Sequence, residues 1–180
     1  MDIRQTIDLL EQKNRHDLEQ IKLPYKTSAL APVMSKNTID YHFGKLYRGY
    51  VDRYNSDEGD ATFNEAGAYL HSILFSQFTT PGSHQPSGAI LGLMKVNHKD
   101  YAEFKEVVKT EAMKLQGSGW IYLSKSGQIK TIKNHQKRTD IALLIDMWEH
   151  AFNLDYGSDK TRYLNNIWRI MDWGAINRRL

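Results

Sequence analysis

Asp146 and His150 stand four residues apart in Ile145-Asp146-Met147-Trp148-Glu149-His150-Ala151, with an indole between them. At that separation both side chains lie on one face of a helical turn or strand-to-helix corner, so a carboxylate and an imidazole can reach a single cation. The pattern D-x-x-x-H serves equally well as a solvated surface pair, so a metal site needs partners from elsewhere in the chain. His42 and His71 are the candidates, each set among apolar or aromatic neighbours. A lone inward histidine more often hydrogen-bonds within a core than binds metal; two of them, joined to Asp146 and His150, favour a shared ion. There is no cysteine. Disulfides, iron–sulfur clusters and thiolate zinc sites are therefore excluded, and His, Asp and Glu remain as the strong ligands.

The elements that must carry these groups can be read from periodicity. Ile3, Ile7, Leu10, Leu18 and Ile21 predict an extra amphipathic helix, within a first segment of residues 1–22. Leu23-Pro24-Tyr25 and Ala31-Pro32 mark an extended connector. Ser35 is placed to cap a helix over about 36–54, with Ile39, His42, Phe43, Leu46, Tyr50 and Val51 on one stripe. A turn at 55–60 and a second helix, from Phe63 to about Phe78, complete an antiparallel hairpin, and the linker composition of 79–88 ends a helical hairpin domain of residues 23–88.

Residues 89–180 predict an α+β domain. Helices are expected near 89–96 and 100–115, the latter capped by Asp100 or Asn97 and closed by Gly117. Trp120–Leu123 and Ile129–Ile132 read as a hairpin, and Ala142–Ile145 as a third strand of an antiparallel sheet. Further helices are expected at about 148–154 and 160–171, with a short one in 173–180.

A formal charge of +3 and a pI near 8.9, without any block of Lys or Arg, argue against nucleic acid as a partner and are compatible with a small anion. No run approaches the roughly 18 apolar residues of a membrane span, and the N-terminus has no secretory pattern, so the expected location is the cytoplasm.

Four segments, in order, carry a resemblance: Leu23-Pro24-Tyr25, Thr38-Ile39-Asp40-Tyr41-His42-Phe43-Gly44-Lys45, Gly117-Ser118-Gly119-Trp120, and Asp146-Met147-Trp148-Glu149-His150-Ala151. Together they look like the iron/manganese superoxide dismutases over about residues 23–175, and the last motif is highly specific for that family. Residues 1–20 have no counterpart there. The resemblance implies His42, His71, Asp146 and His150 as ligands of one manganese or iron ion per subunit, with a lean to manganese, and one solvent molecule completing the site. It further implies Trp120 and Trp148 around the ligands, Tyr50 as the gate tyrosine, and Lys45 and Lys160 as steering cations. Glu149 would bond the ligand histidine of a second subunit in a homodimer, which could pair again into a tetramer. The family's glutamine near the bound solvent has no counterpart at Gly67, so the role falls to His135, or to Gln136 if the strand register slips by one.

Two positions depart from the family. Leu46 stands where a histidine is usual and Asn153 where a tyrosine is usual, a pair that normally bond each other across the dimer interface. The implied reaction converts superoxide to oxygen and hydrogen peroxide, protecting against oxidative damage. A non-haem iron oxygenase, which needs more open coordination positions, and a dismutase-like structural module are the competing readings.

Overall fold

The computed structural model describes residues 16–180. The N-terminal helix expected from periodicity falls mostly on residues outside that range. Its described end, residues 16–22, has no helical hydrogen bonding. Leu18 and Ile21 instead belong to an irregular strap across the first hairpin helix: Leu18 N–H donates to Asn55 Oδ1 at 2.8 Å and Asn55 Nδ2 returns a bond to the Leu18 carbonyl at 2.9 Å. Those side-chain partners satisfy backbone groups that a helix would have used internally.

Ser35 caps the first helical run by accepting the Thr38 N–H. The run comprises α1 (Lys36–Tyr41), a π-helical turn (His42–Tyr47) and α2 (Arg48–Asn55). Asp60 then accepts the Phe63 N–H and starts α3 (Ala61–Ser76), which packs back along the first run as an antiparallel hairpin. The π turn matters for the site. Along a regular α-helix, the eight residues from His42 to Tyr50 turn through about 800° and leave Tyr50 roughly 80° round the cylinder; a π turn uses about one residue more for the same rotation and brings Tyr50 back to within roughly 20° of His42. It also exchanges roles within the predicted stripe: Tyr47 is buried, while Leu46 is only partly so.

The second lobe opens with α4 (Gly88–Lys95) and α5 (Tyr101–Met113), and Asp100 rather than Asn97 caps α5. β1 (Gly119–Ser124), β2 (Ile129–Lys133) and β3 (Ile141–Asp146) form a three-stranded antiparallel sheet in the order β2-β1-β3. The fold is thus an N-terminal helical hairpin followed by an α+β lobe. Register places Trp120 of central β1 opposite Ile132 on one side and Asp146 on the other. The helix expected at 148–154 is a 3-10 turn (Glu149–Ala151) and a short α6 (Asn153–Tyr156), with Trp148 extended at ψ 147° and Phe152 non-helical between the two pieces; the Trp148 N–H donates to Asp146 Oδ1 at 2.8 Å. α7 (Lys160–Asn166), a second 3-10 turn (Ile167–Ile170) and α8 (Trp173–Asn177) complete the chain.

Side chains lock the lobes together. Gln77, just beyond α3, behaves like a fragment of strand: its Nε2 donates to the Leu144 carbonyl and its Oε1 accepts the Leu144 N–H at 3.3 Å. Arg179 donates to Gln77 Oε1 and to the Ala142 carbonyl, each at 3.1 Å. Tyr163 donates to the Asp146 carbonyl at 3.0 Å. At the start of the hairpin, Asp155 Oδ2 accepts from Ser35 N and Thr38 Oγ1, both at 2.8 Å, and Tyr156 donates to the Val33 carbonyl at 2.7 Å. One continuous apolar core results, running from Leu30 to Ile176.

Candidate metal centre

His42 enters from the π turn, His71 from the middle of α3, Asp146 from the end of β3 and His150 from the 3-10 turn after it. One donor atom from each lies within 4.8 Å of those from the other three. Asp146 Oδ2 stands 3.2 Å from His42 Nε2, 3.3 Å from His150 Nε2 and 4.0 Å from His71 Nε2. His42, His71 and Asp146 are wholly buried, whereas the His150 side chain keeps 13% of its surface exposed.

Each of these four atoms is buried without a hydrogen-bond partner among the described residues. Leaving four polar atoms so placed would cost about 1–3 kcal/mol each, a cost that a shared cation removes. Donors about 2.1 Å from a common centre are roughly 3.0–4.2 Å from one another, close to the observed spread. The residues therefore fit a single ion held by nitrogen and oxygen.

The protonation states agree with that reading. Burial pushes the pKa values of His42 and His71 below the ordinary imidazole value, so both rings present lone pairs. For His71 the tautomer is fixed as well: Nδ1 donates to the Gly67 carbonyl at 2.6 Å, leaving Nε2 as the free base. Burial alone would raise the Asp146 pKa, but His150 and His42 outweigh it and hold the carboxyl below the usual carboxylate range. Asp146 Oδ1 is occupied by the Trp148 N–H, which turns Oδ2 toward the imidazoles.

Around this quartet lie Trp120, Trp148, Tyr50 and His135. Trp120 Nε1 donates to His135 Nδ1 at 3.2 Å, so the His135 proton resides on Nε2, a further buried polar atom without a partner among the described residues. His135 stacks on Trp148 with centroids 4.5 Å apart and meets Tyr50 edge-on at 4.8 Å. Burial lowers its pKa to about 4. Tyr50 lies 5.3 Å from the His71 ring, and burial reinforced by the Asp146 carboxylate pushes its hydroxyl up to about 12. Gly67 makes room for it, since a Cβ there would lie 2.9 Å from Tyr50 Cγ.

His135 and Gln136, the two candidates on the sheet hairpin, lie in different surroundings. Gln136 is exposed and accepts from Arg138, well apart from the buried cluster that His135 joins. Asn134, at φ 54°, breaks the alternation of β2 and restores His135 to the inward face shared with Ile132. Lys160, Glu149, Trp148, His150, Tyr41 and Asn153 line a surface cleft of about 610 Å³. Lys45 is exposed on the π turn and is not among the residues lining that cleft. Sequence reasoning missed Tyr47, which stacks on His71, and Tyr163, which holds the Asp146 backbone. Neither lies at a motif position, and only their aromatic character offered a signal.

Three imidazoles and a carboxylate buried between a helical hairpin and a small antiparallel sheet define a protein built to bind one metal ion. Comparison with known proteins supplies the family. The model described as iron/manganese superoxide dismutases, alpha-hairpin domain, matches residues 15–60, and that for the C-terminal domain matches residues 86–179. A superoxide dismutase [Fe] of Bacteroides fragilis is 35% identical, covering 90% of this chain and 98% of its own length. A superoxide dismutase [Mn/Fe] of Porphyromonas gingivalis is 32% identical over 89% of this chain and 98% of its own. A superoxide dismutase [Fe] of Sulfolobus acidocaldarius is 32% identical over 94% and 95%. The chain belongs to the iron/manganese superoxide dismutases, oxidoreductases that act on superoxide.

Proposed function

We propose that His42, His71, Asp146 and His150 hold one iron or manganese ion per chain, and that superoxide is converted there to oxygen and hydrogen peroxide. Four mutually facing buried donor atoms, without other partners among the described residues, carry this reading. When bound, the ion supplies a one-electron couple. The rest falls to the chain's own residues. Dismutation of two superoxide anions to oxygen and hydrogen peroxide consumes two protons, so groups that keep and relay protons must stand beside the donors.

Tyr50 keeps its proton at neutral pH, and His135 keeps its Nε2–H while remaining uncharged. Trp120 fixes that tautomer, and Trp148 covers the His135 ring. Gln136 has no part in this relay. Lys160, at the cleft, attracts the anion over a Debye length of about 8–10 Å; Lys45 adds a weaker, more solvated charge.

Hard nitrogen and oxygen donors suit both ions, and the relatives named above carry iron or manganese/iron in their names, so either ion is assigned rather than manganese in particular. Glu149, exposed beside His150 on the cleft, is proposed to reach the ligand histidine of a second copy across a twofold axis, giving a homodimer. Among the described residues no helix is long and apolar enough to cross a membrane. Residues 23–88 and 89–180 are proposed as the two domains, and the cytoplasm as the site of action.

Elemental analysis and a dismutation assay test this together. The chain should bind one ion and turn over superoxide, and His150→Ala should lose both. Full turnover without metal would refute the assignment; stoichiometric metal with no dismutation by either ion would favour a structural module.

A further inference from the structure

An imidazole turns easily about its second side-chain torsion, which is broad and roughly twofold, so the plane of a histidine ring must be set by its neighbours. For His71 the Gly67 carbonyl holds Nδ1, but one hydrogen bond leaves the ring free to tilt about it. Trp120 meets the ring edge-on at 5.1 Å and Tyr50 at a tilt at 5.3 Å, and the nearest ring lying parallel to it is Tyr47. Its ring, 1% exposed, stacks on the His71 imidazole with centroids 5.7 Å apart and planes at 18°, and on Phe75 at 6.2 Å and 9°.

Tyr47 is itself tied from behind. Its hydroxyl accepts the Ile21 N–H at 3.2 Å. One residue earlier in the strap, Gln20 Nε2 donates at 2.7 Å to the Phe43 carbonyl, which also receives the Arg48 N–H that closes the π turn. The exchange between Leu18 and Asn55 anchors the strap's other end. A line of contacts thus runs from residues 18–21 through the π turn and Tyr47 to His71, whose Nε2 makes the longest of the three approaches to Asp146.

We propose that Tyr47 is a positioning residue for His71, and that the strap sets Tyr47. This rests on His71 being a metal donor. The metal-loaded chain should be compared with Tyr47→Leu, which removes ring and tether, Tyr47→Phe, which keeps the ring, and Gln20→Ala, which loosens the strap without touching the centre. The readouts are the rate of metal release to a chelator, the visible absorption of the oxidised loaded protein, and Tm. Tyr47→Leu should release metal about 10–100-fold faster and shift the absorption band, as expected when a group orienting a ligand is lost. Tyr47→Phe should restore the band while releasing metal faster than wild type, and Gln20→Ala should shift release in the same direction by less.

A lower Tm with unchanged release and absorption in Tyr47→Leu would overturn the proposal, leaving Tyr47 a packing residue. If that variant does not fold, unchanged release in both Tyr47→Phe and Gln20→Ala overturns it. Wild-type protein that takes up no metal would instead sink the proposed function and this inference with it.

Discussion

Replacing Gly67 by alanine sets two effects against each other. In the interior of a helix, Gly→Ala ordinarily stabilises by about 1 kcal/mol. Here the new Cβ would sit 2.9, 3.0 and 3.1 Å from Cγ, Cδ1 and Cδ2 of Tyr50. Carbon atoms rest at about 3.5–4.0 Å, so the ring must retreat by roughly 0.5–1 Å. Phe63, His71 and His135 lie around that ring, at centroid distances of 6.0, 5.3 and 4.8 Å, and the Arg53 guanidinium lies 5.0 Å from its centroid. Overpacking of this kind costs about 1–3 kcal/mol, for a net change between about zero and 2 kcal/mol of destabilisation. Turnover should fall by up to about 100-fold as Tyr50 is displaced, while metal content stays constant. Denaturant unfolding of Gly67→Ala alone and in a Tyr50→Ala background isolates the clash: the change should stabilise by about 1 kcal/mol once the ring is gone, a coupling of about 1–3 kcal/mol. Equal stabilisation in both backgrounds with unchanged turnover would refute the reasoning.

Gln77→Leu strips partners from the Leu144 backbone and from Arg179, and should destabilise by at least about 2 kcal/mol in urea; a loss under about 0.5 kcal/mol would show that the bridge is dispensable. In the metal-free protein, the lowered pKa of His135, about 4 against an ordinary 6.5, means that the folded state binds fewer protons than the unfolded chain between those values. Its contribution is fully present above pH 6.5 and is lost as pH falls toward 4, by up to about 3 kcal/mol. Unfolding of His135→Gln should therefore depend less steeply on pH across that window, and an unaltered slope would contradict the burial argument. Leu46→His combined with Asn153→Tyr should change the pH dependence of turnover or the strength of the proposed self-association, measured by sedimentation; no change in either would show that the paired departure has no functional meaning.

The four-residue cluster was legible in part: without cysteine, His, Asp and Glu are the strong ligands that remain, and Asp146 and His150 are local to one turn. What could not be read depends on contacts distant in sequence. The Leu18 and Ile21 periodicity suggested a helix, yet Asn55 and Tyr47 supply the partners that hold this stretch irregular. The π turn leaves no plain mark on the residue pattern: regular spacing already puts Tyr50 on the His42 stripe but about 80° round it, and the π turn closes most of that angle. His135 is the preferred reading, with Gln136 left open to a register slip; the left-handed conformation of Asn134, which turns His135 inward and leaves Gln136 exposed, has no plain mark in the residue pattern. Gln77 and Arg179 looked like ordinary polar residues, because their roles exist only once β3 is beside them.

The outer margin of β3 has a consequence for the protein's behaviour at high concentration. The Ala142 and Asp146 carbonyls are met by Arg179 and Tyr163 and both backbone groups of Leu144 by Gln77, so a strand from another molecule finds much of the ladder already taken. The apolar hexapeptide Ile141–Asp146 would otherwise be a ready template for intermolecular growth. Injury to these three side chains should first be seen as insoluble protein rather than as a slow enzyme.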